Sequence, residues 1–316
     1  MEALDSNAKA APGTIVVTGA FSHTGWYVTR LLLQRGFHVR TLTNHPHREN
    51  PFGGQVQVFP YNFDRPGDLT ASLCGASTLI NTYWVRFSYG GTTYETAVQN
   101  TLTLLRAAKE AGIQRIVHVS IANPLRDSPF AYYCGKARVE QAVRESGLSY
   151  AILRPAVIFG RGDVLINNIA WFVRRFPFFG VPGDGRYRIQ PIYVEDMAEL
   201  IVDAVNREDS YVLDAVGPEI FTFEELVRLI GGKVGRRVRL LHLPALLAYA
   251  ATRVIGWFVG DVILTWEEYK GLMADLLVSD KPPTGRTRLS EWLSENRDAV
   301  GAHYSSELAR HFRLRS

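Results

Sequence analysis

The sequence predicts an α/β protein, a doubly wound parallel sheet followed by a smaller, mostly helical C-terminal part. Three observations carry that reading. Short β-branched runs alternate with segments of helical period from Thr14 to Pro155, the pattern of a parallel sheet covered on both faces. The first run passes through a glycine-containing turn directly into a helix. Beyond Phe159-Gly160-Arg161-Gly162-Asp163 the strict alternation stops, so a differently organised part begins there. The expected division is a disordered tail at 1–13, a nucleotide-sized α/β domain at 14–160 and a cap at 161–316. Elements at about 190–215 return to the main sheet.

Ile15 to Val17 reads as a buried strand, and Trp26 to Gln34 as a helix that Gly36 stops. The turn between them holds Gly19, Phe21, Ser22, His23, Thr24 and Gly25. A strand that feeds a helix in this way points backbone N–H groups and the positive helix end at an anion, usually a pyrophosphate. Gly19 makes the turn and Gly25 permits close packing of the helix. Ser22 stands where a full dinucleotide fingerprint carries its middle glycine, and its hydroxyl is able to donate to a phosphate. Val39 to Thr43 is the second strand. No acidic residue follows it to hold an adenine ribose; Asn44, His45, His47 and Arg48 come instead. That corner suits a 2′-phosphate and tilts the expectation from NAD toward NADP.

Val56 to Phe59 is a third strand, followed by Asn62-Phe63-Asp64 and a helix from Gly67 to Leu73. Thr78 to Asn81 is a fourth, ending at Thr82. A long helix from Tyr94 to Ala111 puts Ala97, Leu104 and Ala108 on one side with Asn100, and Val98, Leu102 and Leu105 on another. A helix apolar on two sides is packed on two sides. Arg115 to Ser120 and Tyr150 to Pro155 are the fifth and sixth strands, with a helix at Ala131 to Ser146 between them. Gly19, Asn81, Thr82 and Ser120 all fall at carboxyl ends of strands, where ligands of such sheets sit. Tyr132 and Lys136, four apart, share one helix face. Further on, Ile192-Tyr193-Val194, a helix from Glu195 to Asn206 and a strand at Val212 to Asp214 pack back on the sheet. Thr222 caps a later helix.

Composition narrows the classes. A chain of 316 residues with 47% hydrophobic content buries a sizeable core. The net charge of +4 is not gathered into a Lys/Arg block, so nucleic acid is not implied. Two cysteines, Cys74 and Cys134, suit a reducing compartment, here the cytoplasm, and neither lies in a metal-ligand spacing. The apolar stretch Leu240 to Leu264 is interrupted by Pro244, Arg253, Gly256, Gly260 and Asp261. It reads as one or two helices covering the substrate region, with weak association to a membrane surface as the sharper alternative; a span is disfavoured by its charges.

Taken together, Val17-Thr18-Gly19 through Gly25, Asn100, Val117-His118-Val119-Ser120, Tyr132/Lys136, Leu153-Arg154-Pro155 with Gly160, and Gly183-Asp184-Gly185 leading to Tyr193-Val194-Glu195-Asp196 resemble the short-chain dehydrogenase/reductase superfamily. The likeness is to its extended and atypical branches, over roughly Thr14 to Asn206. NAD(P)-binding epimerase/dehydratase-like proteins are the nearest in kind. The nucleotide-binding accessory subunit of respiratory complex I and nitrogen-repression-type redox sensors are more distant. The resemblance implies a Rossmann fold and an NAD(P)-dependent oxidoreductase or epimerase acting on a small carbonyl or alcohol substrate by hydride transfer. It implies Tyr132 as acid/base, Lys136 lowering its pKa and holding the ribose, Ser120 orienting the substrate oxygen and Asn100 organising a relay water. It also implies Asp64 at the adenine and Pro155 and Val157 flanking the nicotinamide. Gly135 stands where the family usually has serine. The alternative reading is a non-catalytic NAD(P)-binding redox sensor or structural subunit.

Overall fold

A computed structural model describes residues 13–311; the expected tail lies outside them, apart from Gly13. In the first half the chain runs β1 (Thr14–Thr18), α1 (His23–Gln34), β2 (His38–Thr43), β3 (Val56–Pro60), α2 (Pro66–Leu73), β4 (Ala76–Asn81), α3 (Tyr94–Glu110), β5 (Arg115–Val119), α4 (Ala131–Glu145) and β6 (Ser149–Pro155). Then come β7 (Val157–Phe159), α5 (Leu165–Arg175), β8 (Phe178–Pro182), β9 (Arg188–Ile189), β10 (Pro191–Tyr193), α6 (Val194–Val205) and β11 (Tyr211–Ala215). The chain continues through β12 (Phe221–Thr222), α7 (Phe223–Lys233), β13 (Arg239–Leu243), α8 (Ala245–Val259), α9 (Trp266–Met273), α10 (Leu289–Glu295) and α11 (Glu307–His311).

The main sheet is seven-stranded and parallel, in the order β11-β6-β5-β4-β1-β2-β3. The order reverses between β1 and β4, and a crevice opens at such a point beyond the strand ends. Side chains alternate across the sheet. Ile15 and Val17 face Val28 and Leu32 of α1 and Met197, Ile201 and Val202 of α6. Val16, Leu79 and Ile116 face the opposite layer, where Leu69 and Leu73 of α2, Leu104 and Ala108 of α3, and Val139 and Val143 of α4 meet. α3 is therefore packed on two sides, between α2 and α4, as its two apolar stripes require.

A third core, centred on Phe159, Ile169, Val181, Leu226, Ile230 and Trp292, lies in the C-terminal part. Thr222 caps α7 in a reciprocal box with Glu225, at 3.2 and 2.8 Å. Besides its helices this part contains three two-stranded ribbons, β10–β7, β12–β9 and β13–β8. One of them corrects the helical reading of the apolar stretch: Leu240 to Leu243 are strand, pairing in parallel with Phe179 to Pro182. The strand ends at Pro244, and only then does α8 begin. β11 forms one edge of the main sheet. The segment that follows α9 passes over its end, with Thr284 and Gly285 N–H groups both donating to the Val216 carbonyl at 2.9 Å.

α4 is fixed to β6 by a buried ion pair. The Glu140 carboxylate takes the Arg154 guanidinium through two bonds, at 2.9 and 2.6 Å, and is itself only 3% exposed. Removing one member of a buried pair strands the other charge. Arg154 reaches solvent at 25% exposure, so Glu140→Ala is expected to destabilise the fold by about 1.5–3 kcal/mol, measured as a drop in the urea midpoint with an unchanged slope.

Candidate functional site

At the point where the sheet order reverses, Thr18 ties β1 to β4. Its hydroxyl accepts from the amides of Thr82 at 2.7 Å and Tyr83 at 3.0 Å. Thr82 Oγ1 donates back to the Thr18 carbonyl at 2.5 Å. Directly after Thr18, Gly19 has φ +67°, and a Cβ at Gly25 would lie 2.1 Å from the Gly19 carbonyl oxygen. Both glycines are thus demanded by the backbone path. Ser22 is the N-cap of α1, accepting from the Gly25 amide at 3.2 Å. That bond uses an acceptor lone pair and leaves the hydroxyl proton to donate elsewhere. Thr24 lies in the first turn. His23 Nε2 bonds the Arg161 carbonyl at 3.0 Å, linking the turn to the loop after β7. Phe21 and Trp26 both pack on Phe52, at 6.4 and 6.0 Å.

Beyond the ends of β2 and β3 a cavity of about 480 Å³ is lined by Thr43, Asn44, Tyr61, Asn62, Asp64 and Asn100, among others. Asn100 Nδ2 donates to the Tyr83 hydroxyl at 2.8 Å. Asn100 thus shares a cavity with Asn44 and Asp64, at the end expected for an adenosine, and bonds Tyr83 there. Arg48 is exposed in the loop after β2, its amide donating to the His45 carbonyl at 3.1 Å.

The other end of the crevice is buried and aromatic. Ser120, at the end of β5, is 3% exposed and its hydroxyl has no hydrogen-bond partner among the described residues. Lys136 is equally buried, and its ammonium donates to the Val119 carbonyl at 3.0 Å. The Trp84 ring covers it, with Lys136 Nζ 4.6 Å from the ring centroid. Trp84 also meets Tyr132 edge-on, at 5.9 Å. Tyr94 and Tyr133 complete the box around Tyr132, at 5.7 and 5.6 Å. Trp84 fits there because residue 135 is glycine: a Cβ would stand 3.0 Å from Trp84 Cη2. A serine at Gly135, the usual residue of the family the sequence resembles, would crowd the indole.

The electrostatics follow the burial. The Tyr132 phenol is pushed up from its ordinary range, chiefly by desolvation, then by Tyr133, Tyr94 and Glu268. The largest influence in the other direction is Arg86, not Lys136. The phenolate expected from a lysine one turn away together with an oxidised nicotinamide thus gets no help from Lys136 among the groups that set this direction. Desolvation lowers Lys136 to about 7, with Glu140 opposing it. Burial and the Lys136 charge push His118 well down; its Nδ1 accepts from Asn81 Nδ2 at 3.1 Å. From the C-terminal part, Glu267 accepts the Tyr132 amide proton at 2.9 Å and Glu268 pairs with Arg86 at 2.6 Å. Pro155 and Val157 continue from β6 into β7, with the Pro155 carbonyl accepting from Ala122 at 2.8 Å. Trp84 is the residue that sequence reasoning did not single out. The glycine at 135 was the one available sign of it.

The sequence profile of the NmrA-like family matches residues 12–277. A relative from Arabidopsis thaliana, "NADH dehydrogenase [ubiquinone] 1 alpha subcomplex subunit 9, mitochondrial", is 28% identical over 87% of this chain and 74% of its own. The alignment with its mouse namesake is 33% identical but spans 45% of this chain and 38% of that one. Among solved structures, a triphenylmethane reductase from Citrobacter sp. superposes with a TM-score of 0.73 over 90% of this chain and 99% of its own, at 17% identity. A nucleoside-diphosphate-sugar epimerase from Staphylococcus aureus gives 0.72 over 89% and 99%, also at 17%. MoeE5 in complex with UDP-glucose and NAD gives 0.65 over 90% and 98%, at 20%. These likenesses show the Rossmann-type fold.

Burial of Lys136 makes stability pH-dependent. An unfolded lysine holds its proton up to about pH 10.4, whereas in the folded chain Lys136 releases it near 7. Between those values the unfolded state binds more protons, so stability rises with pH. Below 7 the penalty is fully present. Urea titrations across this range should find Lys136→Met more stable than the native protein near pH 6, with the gap narrowing as the pH approaches 10.

Proposed function

The chain belongs to the NmrA-like family, and from that premise we propose that it binds a nicotinamide dinucleotide without turning a substrate over. It would act as a redox-responsive or structural subunit. The observation that carries this reading is the Trp84 indole, seated on Lys136 and against Tyr132 in the space that Gly135 leaves. A tyrosine acid/base needs a pKa near the working pH and access to the reacting oxygen. Here the phenol is boxed by aromatic rings and its pKa is raised.

The binding half has what a dinucleotide requires. The Gly19–Gly25 turn, with Phe21, Ser22, His23 and Thr24, would receive the pyrophosphate at the start of α1. Asn44, Arg48 and Asp64 would receive the adenosine end. The basic corner after β2, with no acid at its end, supports NADP over NAD. Thr82, Pro155 and Val157 would bound the nicotinamide side, and the orphaned Ser120 hydroxyl would find a polar partner there. The nicotinamide, when bound, supplies a hydride donor or acceptor. The Arabidopsis relative carries a name from NADH dehydrogenase, and MoeE5 was solved with NAD; both support the reading. Cys74 and Cys134 are free thiols, which supports a reducing compartment.

A second reading, an oxidoreductase or epimerase of a small carbonyl or alcohol substrate, is favoured by that same unpartnered Ser120 hydroxyl, one residue beyond the carbonyl that holds Lys136. In it Ser120 orients the substrate oxygen and Tyr132 moves the proton once Trp84 is displaced. Asn100 keeps the hydrogen bond to Tyr83.

Fluorescence titration with NADPH and NADH should show binding, tighter for NADPH, and Gly19→Asp should abolish both by crowding and by opposing the phosphate charge. Loss of binding in the native protein would sink the site. Hydride exchange between deuterated cofactor and a panel of small aldehydes, ketones and alcohols should be absent. Exchange that Tyr132→Phe reduces by about 10²–10⁴-fold would instead establish the enzyme.

A further inference from the structure

α8 is almost unburied. Of its 15 residues, Ala248 and Gly256 are the buried ones, yet its outer surface is apolar. Trp257 is 79% exposed and Phe258 75%, with Leu246, Leu247 and Val254 all above half. At 100° per residue, Leu246, Trp257, Val254, Leu247 and Phe258 fall in one continuous face, and the exposed Arg253 borders it. Contiguous exposed apolar surface of this kind marks an interaction site.

Charge indicates the occupant. Between Glu225 and Asp261 the sequence has no acidic residue, while Arg228, Lys233, Arg236, Arg237, Arg239 and Arg253 all lie there. Arg236, Arg237 and Arg239 are exposed on the approach to β13, which leads into α8. An apolar helical face with Trp, Phe and Leu, in a stretch of sequence with arginines and no Asp or Glu, is the chemistry of a helix lying in an anionic lipid interface. Aromatic rings sit at the headgroup level and arginines reach the phosphates. The helix does not span: its 15 residues extend about 22 Å, short of the roughly 30 Å hydrocarbon core. Among the described residues no helix is long and apolar enough to cross.

We propose that α8, with the arginines that precede it, docks this protein on the surface of an anionic membrane. The whole chain, prepared without detergent, would be floated with vesicles of phosphatidylcholine alone and of phosphatidylcholine mixed with phosphatidylglycerol. Flotation is expected with the mixed vesicles only, weakening as salt is raised. Trp257→Ser/Phe258→Ser should lose it through the apolar contact. Arg236→Glu/Arg237→Glu should lower affinity at least about tenfold through the charge. All four positions are exposed, so circular dichroism and NADPH affinity should match the native protein. Three results would each overturn the proposal: no flotation with anionic vesicles, flotation that both variants retain, or a light-scattering dimer that Trp257→Ser/Phe258→Ser dissociates while vesicles are ignored. The last would assign the face to a second copy of the chain.

Discussion

The close approach of Gly25 to the Gly19 carbonyl governs how the rest of the molecule is assembled. With no Cβ in the way, α1 leaves β1 at a distance that lays Val28 and Leu32 on the sheet beside Ile15 and Val17. The same placement brings Arg30 to Glu195 at 2.8 Å and Arg35 to Asp203 at 2.7 Å, so α6 is aligned along α1. These exposed pairs contribute little energy on their own. Their part is registration, while the burial of α6 by Met197, Ile201 and Val202 supplies the attraction. α6 then delivers the chain to β11 at the sheet edge. A single tight turn therefore sets one whole helical layer.

The crevice has two halves with opposite physical character. At the ends of β2 and β3 it is open and lined by amides and a carboxylate. At the ends of β4 and β5 it is filled, with a buried lysine under an indole. A cation over an aromatic face recovers about 0.5–2 kcal/mol, less than the cost of desolvating an ammonium, which is why Lys136 falls to about 7 in spite of Glu140. Arg86 closes that half from the side: it holds Glu268 and the Ile263 carbonyl, both from the C-terminal part. This contrast between an open polar half and a filled aromatic half is what the proposed non-catalytic reading rests on.

The architecture was legible because parallel strands buried on both faces declare themselves as β-branched runs, and because Gly19, Gly25, Gly36 and Gly112 mark turns that the backbone needs. Thr222 announced its own helix as a cap, and Glu225 completes the box in the structure. The ribbons of the C-terminal part were not legible, since most of their strands are only two or three residues long, and β8 and β13 lack the β-branched run that marks the main-sheet strands. Leu240 to Leu243 looked like the start of a helix because the run is apolar at every position but one. Pairing with β8, a tertiary fact, decided otherwise. Tyr132 and Lys136 were visible as a spaced pair, but a pair's spacing says nothing of what lies over it. Trp84 arrives from the end of β4, distant in sequence, and only Gly135 hinted that the surface of α4 there was needed by something large.

The strand order of the sheet carries a consequence for how the chain is made. β1 is synthesised first but lies in the interior of the finished sheet, and it waits for β4 before its second edge is paired. β6 waits about as long, because its partner β11 emerges only after β7 to β10, α5 and α6. Until then an open, apolar strand edge is exposed on the growing chain, a template for pairing with a neighbour. Glu140, which clamps Arg154 of β6 from α4, ties that strand to an element translated before it, without waiting for β11. A folding helper acting on this protein would therefore have its work on the nascent chain, in the interval between translation of Pro155 and translation of Tyr211.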